Sequence, residues 1–85
     1  MPAISMFYGI IIKMFFADHN PPHIHAEYAE YKAQFDFDGN MTKGEMPNKQ
    51  RKLIEAWVVL HQDEIRANWK LASEGGEMMK IEPLK

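Results

Sequence analysis

Three of the four histidines of this chain fall within seven residues, in Asp18-His19-Asn20-Pro21-Pro22-His23-Ile24-His25. Imidazole changes charge near neutral pH and is the commonest metal-ligating side chain. His23 and His25 flank a single residue, so on a strand they project to one side with backbones roughly 6–7 Å apart. Such a pair can clasp a divalent transition metal, with His19 as third ligand and Glu27 within reach as another. This donor set suits zinc, nickel, copper or iron. The same spacing suits a general acid and base, with His23 and His25 as catalytic residues acting on a phosphodiester such as RNA, or on another ester. The third reading has no chemistry: histidines hydrogen-bonded at a surface or interface.

A second polar group falls on the C-terminal helical stretch. His61, Glu64 and Asn68 share one stripe by their i, i+3, i+7 spacing, within an otherwise apolar sector. Inward polar groups destabilise a fold unless each finds a partner. The stripe therefore belongs with the binding candidates, together with Lys13, Glu27 and Asp36.

Composition narrows the classes. The chain has 85 residues, 46% of them hydrophobic and 26% charged, which fits one small globular domain over 1–85. It has no cysteine, which removes disulfides, thiolate catalysis and cysteine–zinc sites. The net charge of −2 argues against broad nucleic-acid binding, and an RNA site would need Lys or Arg nearby. Ile10-Ile11-Ile12 is interrupted by Lys13, too soon for a membrane span, and a signal-peptide pattern is missing, so a cytoplasmic protein is expected. No phosphate-cradling Gly-rich loop or Ser nucleophile motif occurs. Asp36-Phe37-Asp38-Gly39-Asn40 lacks the spaced acidic ligands of a calcium loop and reads as a hairpin end.

Alternation and turn residues place these groups. Residues 6–16 read as one strand, rich in β-branched and aromatic residues, and Pro21-Pro22 as a stiff connector. Strands follow at 23–29 and 32–37, with Ile24, Ala26, Tyr28, Ala33, Phe35 and Phe37 on one face. His23, His25, Glu27, Gln34 and Asp36 would share the other. A fourth strand is expected within 41–46 and an edge strand within 78–82. One long helix over 49–73 follows an Asn48 N-cap and ends at Gly75-Gly76.

The Asp18–His25 string resembles the signature of a small bacterial family, domain of unknown function 4160. The similarity continues through Phe35-Asp36, Gly44-Glu45-Met46-Pro47, Ala56-Trp57, His61, Asn68-Trp69 and Ile81-Glu82-Pro83-Leu84, so it covers nearly the whole chain. The resemblance implies a protein encoded beside a second small protein, in a toxin–antitoxin-like or paired regulatory module. The family carries no established catalytic residues to transfer.

The expected architecture is α+β: a mainly antiparallel sheet of three to five strands with one long C-terminal helix across one face. The uncovered face would carry Lys13, His23, His25, Glu27, Gln34 and Asp36, open to a partner protein, a second copy in a homo-oligomer, or a ligand. The leading reading is one component of a two-protein module. Its rivals are a small metal-binding protein and a purely structural binding module.

Overall fold

The computed structural model describes residues 3–85. Five antiparallel strands run as a meander in the order β1-β2-β3-β4-β5: Ala3–Phe7, Ile10–Lys13, Ile24–Tyr28, Tyr31–Phe35 and Met41–Gly44. Two helices follow, α1 over Asn48–Leu60 and α2 over Gln62–Ser73. Among the described residues, no helix is long and apolar enough to cross a membrane.

The alternation of the β3–β4 hairpin is realised in its register. Ile24 faces Phe35, His25 faces Gln34, Ala26 faces Ala33 and Glu27 faces Lys32. Ile24, Ala26, Ala33 and Phe35 are buried in one core with Ile10, Ile12, Ile54, Trp57, Val58 and Ile65. The opposite face carries the row Lys13, His25, Gln34, Lys43 across β2 to β5.

Two expectations fail at the N-terminal end and in the helix. Residues 6–16 form two strands, folded back at Tyr8 (φ 50) and Gly9 (φ 79). Two successive left-handed residues make the tight hairpin turn whose twist matches the strands it joins. Tyr8 is an unusual occupant of such a turn, which is why the run reads as continuous. The helix breaks at His61 (φ −119, ψ 26). An unbroken helix over 49–73 would be about 37 Å long at 1.5 Å per residue. The molecule measures 33 × 25 × 22 Å, so the break lets both halves lie on the sheet. Ile54, Trp57 and Val58 bury one stripe and Ile65, Asn68 and Ala72 the other, while Leu60 beside the break is exposed.

The ends of the helical region also differ in detail. The residue preceding α1 is Pro47, and no side chain caps it; Asn48 instead accepts a hydrogen bond from Arg51 Nη2. At the other end Gly76 N–H donates to Leu71 O and Gly75 N–H to Ala72 O, with Gly75 at φ 76. This is the paired bonding that closes helices on a left-handed glycine. The tail makes no strand; Ile81 N–H donates to Ile4 O at 2.8 Å beside β1. Asn68 holds the same tail through Met79, donating to its carbonyl at 2.7 Å and accepting from its N–H at 2.9 Å. Trp57 Nε1 donates to Glu82 O.

Candidate metal centre

The connector after β2 turns at Ala17 (φ 51), whose N–H donates to Ala72 O and so ties it to the end of α2. Asp18 follows immediately. Its Oδ1 accepts from His19 N–H at 2.9 Å, which leaves Oδ2 facing inward. Oδ2 lies 3.0 Å from His23 Nε2 and 3.0 Å from His25 Nε2. The three ligand atoms lie within 4.8 Å of one another.

The two imidazoles reach this point from different surroundings. His25 belongs to β3, on the sheet face away from the helices, with the Phe15 ring edge-on at 4.3 Å. His23 precedes the strand and packs on Trp69 of α2, with centroids 5.6 Å apart. Its side chain is only 5% exposed. Strand alternation alone would keep His23 away from the helices. Because it lies outside the strand, it can bridge the helix side and the open face.

Hydrogen bonding defines the state of His23. Its Nδ1 is 2.8 Å from Pro21 O, and a carbonyl can only accept, so Nδ1 carries the proton. In the neutral ring Nε2 is then a bare lone pair, 3.0 Å from Asp18 Oδ2. Nε2 is buried without a hydrogen-bond partner, although Asp18 Oδ2 stands close by. His25 Nε2 is aligned with Oδ2 as a hydrogen bond. Burial works to raise the Asp18 pKa. The His25 hydrogen bond, the His19 N–H and the nearby imidazoles outweigh that effect and hold the carboxyl below its ordinary value.

The other sequence candidates are distributed around this centre. His19 is at the rim, its ring 5.3 Å from His23 and its side chain 72% exposed. Lys13 and Glu27 pair with each other at 3.0 Å on the open face. Asp36 lies beyond the end of β4, where its carboxylate accepts from Asp38 N–H, Asn40 N–H and Asn40 Nδ2. His61 bonds Glu64 at 2.7 Å at the helix break, against Trp57, and Asn68 is engaged by Met79. The helical stripe therefore finds its own partners, apart from the histidine cluster. Asp18 is the member that histidine counting overlooks. The signal available was a carboxylate five and seven residues before two imidazoles, across a connector shortened by two prolines.

A five-stranded meander covered on one face by two helices, with an Asp/His triad at one end, thus describes the chain. It belongs to the family described as domain of unknown function (DUF4160), whose pattern matches residues 9–70. That span includes the triad and most of both helices. No curated protein and no solved structure matches the chain.

Proposed function

We propose that this protein binds a divalent transition-metal ion through Asp18, His23 and His25. The observation that supports it is the buried Nε2 of His23, 3.0 Å from Asp18 Oδ2 without a hydrogen bond to it, whose other ring nitrogen is fixed by a backbone carbonyl. Metal-ligating histidines habitually donate their second N–H in this way, which sets the tautomer and aims the ring. Ligands about 2.0–2.2 Å from one ion stand about 3 Å or slightly more apart. The separations of 3.0 Å at Asp18 Oδ2 are close to that spacing before any adjustment. Two imidazoles and one carboxylate are a donor set for iron(II) or zinc with coordination positions left open.

Elemental analysis of untagged protein purified without chelator tests this reading, beside the His23→Ala/His25→Ala double variant and Asp18→Asn. Near one ion per chain in the wild type, and none in folded variants, is the expected result. A wild type that remains metal-free after incubation with zinc and with iron(II) overturns it.

The Asp18–His25 hydrogen bond favours one second reading. A carboxylate that orients an imidazole is the arrangement of an acid–base pair. In that reading the chain is the toxin-like half of a two-protein module, and His23 or His25 acts on RNA without a metal. Expression without the neighbouring gene separates the readings: growth inhibition lost on substitution of His25, in metal-free protein, belongs to this one alone.

A further inference from the structure

Two hollows meet beside the triad. One, of about 240 Å3, lies on the open sheet face between His25, Lys32, Gln34 and Lys43. The other, of about 170 Å3, lies between His19, Pro22, His23 and Thr42 and is also lined by Gln34 and Lys43. One imidazole of the triad therefore borders each hollow, and Gln34 and Lys43 border both. The strand register explains this placement. His25 faces Gln34, which faces Lys43, so the three form a row over adjacent strands about 4.8 Å apart.

The charges around these hollows do not cancel. Glu27 also borders the first hollow, opposite Lys32 in the register, and is answered by Lys13 at 3.0 Å. Lys32 and Lys43 are exposed, and among the described residues neither has an ion-pair partner. Asp36 borders the second hollow and keeps its negative charge, although its oxygens are engaged by the neutral donors of the turn it caps. A divalent ion held by one carboxylate keeps a single positive charge. With two lysines and the Asp36 carboxylate counted, the surplus beside the open coordination positions is two positive charges. A carboxylate ligand would neutralise one of them, whereas a phosphate dianion neutralises two and offers three oxygens to metal and ammonium together.

We infer that the paired hollows form a binding site for a small phosphate-bearing ligand, with one phosphate oxygen on the metal and Lys43 as the principal anchor. This rests on the metal reading given above. Lys43 stands where both hollows meet, Lys32 adds charge from the outer side, and Gln34 supplies an amide donor between the imidazoles and Lys43. The hollows suit a phosphate with a small substituent; a polymer would have to continue over the rest of the sheet face.

Inorganic phosphate, titrated into cobalt(II)-loaded protein and followed by 31P line broadening and calorimetry, provides the test. Lys43→Gln and Lys32→Gln are compared with the wild type, and the cobalt content of each is measured separately. The expected result is saturable phosphate binding by the loaded wild type. Lys43→Gln should weaken it about tenfold and Lys32→Gln less, at unchanged cobalt content, as loss of a charge-assisted contact implies. Protein that takes up cobalt but ignores phosphate, or binds it equally well as Lys43→Gln, overturns the phosphate site and leaves the metal centre standing. Protein that takes up none of cobalt, zinc and iron(II) removes both. Binding of a short oligoribonucleotide without binding of phosphate also overturns the inference, in favour of nucleic acid.

Discussion

His23 Nδ1 donates to the carbonyl of Pro21, two residues earlier, at 2.8 Å. The bond fixes which nitrogen of a 95% buried ring faces Asp18 and His25, because the side chain is only 5% exposed. A short local contact thereby decides the chemistry of a centre assembled from a connector and a strand.

Asp18→Asn tests that centre with little change of shape. The amide keeps one carbonyl oxygen but lacks the charge that offsets a divalent ion. Loss of a supporting partner alone typically lowers metal affinity 10–100-fold. Removal of the ligand charge should lower it by at least about a hundredfold, read by competition with a chromophoric chelator.

Metal should also act as a folding ligand. At free metal about 100 times its dissociation constant, linkage supplies about 2.7 kcal/mol. For a domain of this size that corresponds to a rise of roughly 10–20 °C in Tm. Thermal melts with added zinc, then with excess chelator, should show the rise and its reversal. The His23→Ala/His25→Ala double variant should show no rise.

Asn68 is fully buried and bonds both polar groups of the Met79 backbone. Asn68→Leu fills similar space while leaving a buried donor and acceptor without partners. At about 1–3 kcal/mol for each orphaned group, the loss should be about 3 kcal/mol in urea denaturation. The tail should be cleaved by proteases sooner than helix α1.

Gly44 and Gly75 both have positive φ, 88 and 76, and separate two effects. A Cβ on Gly44 would lie 2.2 Å from Lys32 O, whereas on Gly75 it would meet nothing within 4 Å. Gly75→Ala should lose about 1–2 kcal/mol, the ordinary left-handed penalty. Gly44→Ala should lose distinctly more, and amide exchange should show the loss concentrated at the β4–β5 pairing.

Asp36 contributes an acid-sensitive part of the stability away from the histidine cluster. Burial works to raise its pKa, but the hydrogen bonds from Asn40, Asp38 and Gly39 outweigh this and hold it below the ordinary 3.8. A group with a depressed folded pKa contributes stability above its unfolded value and loses it as pH falls through the folded one. The contribution is thus complete above about pH 5 and is lost progressively below about pH 4, as pH falls through the depressed folded pKa. Asp36→Asn should be less stable at neutral pH, and its stability should vary less with pH across that acid window.

The legible parts of this fold are those in which one period governs. The strict alternation from Ile24 to Phe35 leaves the hairpin a single register that buries its apolar set, because a slip of one residue would turn that set outward. The turn at Tyr8-Gly9 lacks an Asn or Asp signal, and left-handed tyrosine has to be imposed by the strands on either side. The helix break at His61 has no proline or glycine to mark it; it keeps the helical stretch within the 33 Å length of the molecule. The histidine string locates the site, but the partnership with Asp18 depends on where the connector is tied to α2. The spacing of Asp18 before the two imidazoles permits that contact but does not by itself impose it.

The β1 edge has one further property. A strand at the margin of a sheet displays donors and acceptors that can recruit another chain. Here Ile81 occupies that margin at Ile4, with Asn68 and Trp57 anchoring the segment on either side of it. The segment around Ile81 therefore covers part of that edge, although it forms no strand itself.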